Sequence, residues 1–203
     1  MRIVRLHRDH PDAYACNVYW ITGGPDRTNT LVDVGSSHPD NLAALLRQME
    51  GHPKGIGRRA VEQVVLTHAH YDHVGGLPAV IDRFNPEVHA YRLEPGVGHA
   101  LRDGAWLRLG DKDFQVLHTP GHSEDSICLH CPGTGDLFSG DTLYRISDAA
   151  GTYPRCYADS LARLKALGAA TVHPGHGEPI REGVASFIEE ALVQVRRSLL
   201  QDG

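Results

Sequence analysis

The sequence predicts an α/β protein of the α+β kind, with two β-sheets covered by helices. Two observations carry this expectation. Each half of the 203-residue chain is rich in short β-like apolar segments and finishes with helical spacing, which fits two helix-covered sheets better than a doubly wound parallel sheet. The length suits one domain with a sizeable core, and no linker, low-complexity tract or internal repeat interrupts it. A single domain over 1–203, with no appended C-terminal domain, is the expected organisation.

The elements follow in order. Strands are expected at 3–7, 17–22 and 30–34. Residues 39–49 have helical spacing, with Leu42, Leu45, Leu46 and Met49 on one face, His38 or Ser37 as cap and Gly51 as stop. The apolar segment 61–66 reads as a strand, followed after Asp72 by a helix at 74–81 and by a strand at 87–91. In the second half 106–109, 114–117, 126–130 and 136–139 read as strands between Gly, Asp or Pro turns. Residues 157–167 form an amphipathic helix with Leu161, Leu164 and Leu167 spaced for burial, then come a brief strand at 171–172 and a terminal helix at 184–200. That last helix offers Val184, Phe187, Ile188, Ala191, Leu192 and Val195 on one apolar face. Packing on the sheets is its expected use, and a homodimer contact is the alternative.

Composition narrows the partners. A formal charge of −5 without a basic block disfavours a protein that holds nucleic acid through phosphate contacts. No apolar run approaches the roughly 20 residues of a membrane span, and the N-terminus lacks the apolar stretch of a signal peptide. A cytoplasmic protein acting on a small molecule is expected. Cys128 and Cys131 form a lone Cys-x-x-Cys with no second pair to close a four-sulfur zinc site, and a buried thiol is the expected role of Cys128. Histidine stands out instead, with fourteen in the chain.

The most informative stretch is Thr67-His68-Ala69-His70-Tyr71-Asp72-His73, directly after the apolar segment 61–66. A buried strand fixes the backbone, and His68 and His70, two residues apart, project to one side while the chain is extended. Three later turns repeat the design of an apolar strand ending in a donor beside glycine: Thr119-Pro120-Gly121-His122, Ser139-Gly140-Asp141 and Pro174-Gly175-His176-Gly177. Glycine before each donor permits a sharp turn. Together the turns supply five histidines and two aspartates. One tetrahedral zinc needs about three protein ligands plus water, so seven candidates suit two divalent ions. Nitrogen and oxygen donors without sulfur put Zn2+ first and also allow iron or manganese.

In that order, His-x-His-x-Asp-His, Thr-Pro-Gly-His, Ser-Gly-Asp and Pro-Gly-His-Gly resemble the motifs of the metallo-β-lactamase-fold hydrolases, from Asp33 to His176. Short glyoxalase II-like and β-lactamase-like endoribonuclease-type members are the most similar. The resemblance implies a four-layer αββα sandwich with the metals at one edge between the sheets. It also implies that His68, His70 and His122 hold the first ion, Asp72, His73 and His176 the second, and Asp141 bridges. Asp72 is in addition the candidate catalytic carboxylate. Asp33 would orient a ligand histidine, and Tyr144, three residues after the bridging aspartate, would touch substrate. The implied reaction is hydrolysis of a thioester, ester or lactone by a hydroxide shared between the ions. A metal-dependent endoribonuclease or phosphodiesterase, or a mononuclear iron persulfide dioxygenase, is the alternative. Residues 145–149 depart from the glyoxalase II pattern, which puts glutathione in question. His118 and His173 adjoin donor turns, where either could support a ligand residue from behind, whereas His7, His10, His38, His52, His89, His99 and His130 are expected at the surface or in packing.

Overall fold

A computed structural model of the chain describes residues 1–6, 14–23, 28–51, 60–144 and 153–199. His7, His10, His52 and the departing stretch 145–149 lie outside the described residues. Strand residues alternate between two faces, and here both faces of most strands are apolar. Each sheet therefore needs a cover on both sides.

The first sheet runs β1 (Arg2–Leu6), β2 (Val18–Thr22), β3 (Thr30–Val32), β4 (Gln63–Val65), β5 (Glu87–Ala90) and β6 (His99–Ala100) in that spatial order. The first three strands pair antiparallel and the pairs from β3 to β6 are parallel. The second sheet is ordered β11 (Thr171–Pro174), β10 (Asp136–Gly140), β9 (Ile127–Cys131), β8 (Lys112–His118), β7 (Trp106–Leu109), with only β10 and β11 parallel.

The alternation sorts the core into three clusters. Tyr19, Ile21, Val32 and Val65 face inward and meet Phe114, Val116, Leu129 and Phe138 between the sheets. Their strand neighbours Val18, Trp20, Leu31 and Val64 face outward against Leu45 and Met49 of α1 (Pro39–Gly51) and Leu77 and Val80 of α3 (Leu77–Phe84). Leu117, Cys128, Leu137 and Val172 turn to the other side. There they meet Tyr157, Leu161 and Leu164 of α4 (Arg155–Ala166) and Ile188, Leu192 and Val195 of α5 (Val184–Leu199). Four layers result, helix–sheet–sheet–helix, as the sequence predicts. Cys128 is a fully buried thiol. Of the α5 face offered as a dimer contact, Val184, Ile188, Ala191, Leu192 and Val195 are buried within the chain and Phe187 is half-buried.

Two local features differ from expectation. β6 has only two residues, too short to leave a period in the sequence, and it is set by pairing with β5. The helix expected at 74–81 is two helices, α2 (Tyr71–Val74) and α3, interrupted at Gly75-Gly76. A Cβ at Gly75 would lie 2.5 Å from the Tyr71 carbonyl oxygen and 2.6 Å from the Ser37 nitrogen. The Gly76 amide donates to Gly35 O at 3.0 Å. The glycines thus bring this segment against the loop after β3, and Asp72 and His73 lie within a single helical turn.

Candidate metal centre

The donor residues sit where strands end. His68 follows β4, His122 follows β8, Asp141 follows β10 and His176 follows β11, while Asp72 and His73 lie on α2. Backbone bonds across the two sheets fix these ends against each other. Ile127 N donates to Thr67 O at 2.9 Å, Cys16 N to Asp72 O at 3.1 Å, Val34 N to His73 O at 3.0 Å and Gly175 N to Gly140 O at 2.8 Å. Asn17 Nδ2 donates to the Pro174 and Gly177 carbonyls, and Tyr19 OH donates to Pro174 O at 2.8 Å, tying the His176 turn to the first sheet.

The glycines beside the donors act in different ways. Gly140 has φ +47, a conformation that favours glycine, and its Cα faces Thr67. Gly175 does not have positive φ. Its need is space, since a Cβ there would collide with Asp141 Oδ1 and the His73 ring.

All seven residues singled out in the sequence converge in three overlapping groups: His68, His70 and His122; His68, His73 and Asp141; and Asp72, His73 and His176. Within each group the ligand atoms lie within 4.8 Å of one another. His70 Nδ1 and His122 Nε2 are 2.9 Å apart. Asp141 stands between the groups, with Oδ2 3.5 Å from His122 Nε2 and 3.4 Å from His176 Nε2, and Oδ1 3.3 Å from His73 Nε2. Asp72 Oδ2 is 3.1 Å from His176 Nε2.

A polar lattice behind the histidines sets which nitrogen faces inward. Asp33, at φ +58, accepts from Thr67 N at 2.8 Å and from Thr67 Oγ1 at 2.9 Å. Its Oδ2 also lies 2.8 Å from His73 Nδ1. With its own proton given to Asp33, Thr67 Oγ1 is the acceptor for His68 Nδ1 at 3.1 Å. Both imidazoles therefore carry hydrogen on Nδ1 and turn Nε2 toward the cluster.

Burial and the carboxylates set the charges of these groups. Burial, then the neighbouring His73, pushes the His68 pKa down to about 2, so its ring stays neutral. Burial also lowers His122, in spite of Asp141. Burial opposes a charged His73, but Cys16, Asp33 and Asp141 outweigh it and raise the pKa. Burial opposes the Asp141 carboxylate too, yet His176 and His73 hold its pKa well below the usual range. The centre is thus built to hold anionic oxygen and to attract positive charge.

The atoms aimed inward are also unsatisfied. His68 Nε2, Asp72 Oδ2, His73 Nε2, Asp141 Oδ1 and His176 Nε2 are buried with no hydrogen-bond partner. Each such atom costs about 1–3 kcal/mol, and a cation among them would satisfy the whole set. The donors fit a metal.

Sequence reasoning did not single out Thr67, Cys16, Tyr14 or Tyr71 as parts of the centre. Cys16 groups with Asp33 and His73, and burial raises its thiol pKa to about 11. Tyr14 stacks on the His176 ring with centroids 5.2 Å apart, and it and Tyr71 are exposed. Their contacts are tertiary, and no spacing signals them. Tyr144 has its ring 6.2 Å from that of His122, and its hydroxyl interacts with Tyr153 and Tyr157. Burial, then Tyr153, raises it to about 12, so it remains a donor. His118 stacks on Tyr91, and His173 bonds Asp136 Oδ1 at 2.8 Å, so both serve packing.

The sequence model of the Metallo-beta-lactamase superfamily matches residues 11–108 and 93–176. The chain belongs to the metallo-β-lactamase superfamily. The lactamase-like protein adaB of Aspergillus niger is 30% identical over 93% of this chain and 58% of its own length. An atrochrysone carboxyl ACP thioesterase of Aspergillus fumigatus is 28% identical over 86% of this chain and 41% of its own length. The chain thus spans about half the length of these curated relatives, 58% of one and 41% of the other. The fold likeness extends to the metallo-beta-lactamase family protein TTHA1429 of Thermus thermophilus, with TM-score 0.78, 23% identity, and 98% and 81% of the two chains covered. TTHA1623, solved in a di-iron-bound form, has TM-score 0.65 and 29% identity over 92% and 97% of the two chains. Among the described residues no helix is long and apolar enough to cross a membrane.

Proposed function

We propose that the protein is a binuclear metal-dependent hydrolase of thioesters, esters or lactones, with Zn2+ the first expectation and iron or manganese also accepted. The observation that carries this reading is the convergence of seven donor residues, five of which aim a buried atom inward that lacks a hydrogen-bond partner. His68, His70 and His122 would hold one ion and Asp72, His73 and His176 the other. Asp141, within 3.5 Å of a histidine nitrogen on either side, would be shared. When bound, two such ions supply a water of lowered pKa and stabilise charge on the carbonyl oxygen.

The chain's own residues have separable tasks. Asp33 and Thr67 keep hydrogen on Nδ1 of His73 and His68, so that Nε2 stays inward. Asp72 Oδ2 faces the centre, and this carboxylate would have the catalytic role of orienting the attacking water beside the ion it would help to hold. Tyr144, whose ring lies 6.2 Å from that of His122, would touch substrate on that side. The thioester member of the substrate class draws support from the relative named for an acyl-carrier thioesterase, and two-ion occupancy from the neighbour solved with two irons.

Elemental analysis of protein purified without chelator should show near two metals per chain. A panel of lactoylglutathione, a homoserine lactone, nitrocefin, a phosphodiester and single-stranded RNA should then show turnover of the thioester or lactone. One metal per chain with His176 uncoordinated, or preference for RNA, would overturn the reading.

A further inference from the structure

A cavity of about 630 Å3 adjoins the donor cluster, bounded by α3, the end of β5 and the 92–97 turn. Its size falls within the roughly 300–1,000 Å3 of pockets that enclose a small organic ligand. Leu66, Leu77, Ile81, Ala90 and Val97 form its walls, and among the described residues no Phe, Tyr or Trp lines it. His68 and Ala69 line it as well, so the cavity and the candidate metal centre share a wall. On the rim Asp82, Glu94 and Asp125 outnumber Arg92, which is already paired with Glu124 at 2.8 Å. The turn is pinned in place, with Val97 N donating to Glu94 O and Gly98 N to Val88 O, and Gly96 closes against Ile81 and Leu77. Leu93 of the same turn is 65% exposed.

We propose that this cavity binds the acyl half of the substrate, as a neutral aliphatic chain whose carbonyl lies at the His68 end. The inference rests on the hydrolase reading above and adds the chemistry of the group recognised. Aliphatic walls favour methylenes over stacked rings. The acidic rim disfavours an anionic group such as the carboxylates of glutathione, and a wall shared with His68 puts the reacting carbonyl beside the donors. Each methylene taken from water into such walls is worth roughly a threefold to fourfold gain in binding.

The test uses metal-loaded protein and the N-acetylcysteamine thioesters of acetic, butyric and octanoic acids. The kcat/KM should rise at least about tenfold from acetyl to octanoyl, given the gain per methylene. The ratio of octanoyl to acetyl turnover should collapse in Ala90→Phe, which fills the cavity. Val97→Gln, which makes one wall polar, should lower the same ratio and serves if the larger residue prevents folding. A flat chain-length profile in an active enzyme overturns the cavity assignment and leaves the hydrolase reading standing. If no thioester turns over, the hydrolase reading loses its thioester branch and the cavity is judged by binding alone. Octanamide, titrated while the methyl NMR signals of Ile81 and Val97 are followed, should give saturable shifts. Absence of saturable binding overturns the inference whatever the activity.

Discussion

Asp33 illustrates how much a single residue decides in this centre. It accepts three hydrogen bonds from Thr67 and His73 while held at φ +58, where asparagine and aspartate are the side chains best tolerated. Asp33→Asn should therefore keep the backbone and the fold, measured by circular dichroism, and weaken metal retention about 10–100-fold in competition with a chelator. Unchanged retention would contradict its role in orienting His73. Asp72→Ala and Asp141→Ala should each lose orders of magnitude in rate with thermal unfolding still cooperative, and retained turnover in either would remove that residue from the mechanism. His130 supplies a pH prediction away from the donors. Burial lowers its pKa, so the folded state binds fewer protons than the unfolded chain as pH falls below about 6.5, and stability is lost in that direction. His130→Gln should flatten the decline in denaturant midpoint between pH 7.5 and pH 5. An identical decline would refute the assignment. The sequence placed His130 in a strand and expected packing or surface, but its burial came only with the facing layers.

At the scale of elements, what matters is where strands stop. The motif turns were readable because short apolar strand segments run directly into donor-rich, glycine-containing turns. The interruption between α2 and α3 was not readable, because its cause is the loop after β3, far away in sequence. Gly75→Ala should accordingly destabilise by about 1–3 kcal/mol or more, since the added methyl meets backbone that cannot rotate away. Gly133→Ala, with nothing within 4 Å of the added Cβ, should have little effect, and chemical denaturation of both variants compares them directly. Equal midpoints would mean the close packing at Gly75 is relaxed at no cost. Tyr157 was read only as the start of a helix. In the fold its hydroxyl donates to Thr142 O at 2.9 Å and its ring closes on Gly121, so α4 braces the turns of both His122 and Asp141.

For the whole molecule, metal binding should be coupled to folding, because the candidate donors come from strand ends of both sheets and meet only in the assembled sandwich. Metal bound to the folded state alone should stabilise it by about 2.7 kcal/mol when the free ion is at one hundred times its Kd. Stripping metal with a chelator should lower the Tm, re-addition should restore it, and Asp141→Ala should blunt the difference. No change in Tm on stripping would show that the unsatisfied atoms at the centre cost the fold nothing.

The division between sequence and tertiary structure follows from the range of the forces involved. Apolar strand segments, helical spacing and the donor-rich turns are local, so two sheets, their helices and the seven candidate donor residues could be read from the chain itself. The β5–β6 pairing, the break at Gly75-Gly76, the placing of Thr67 and Cys16 behind the histidines and the apolar cavity beside His68 could not. Each depends on which distant segment packs against it, and that is decided only when apolar faces close over one another and the buried polar groups between them find partners.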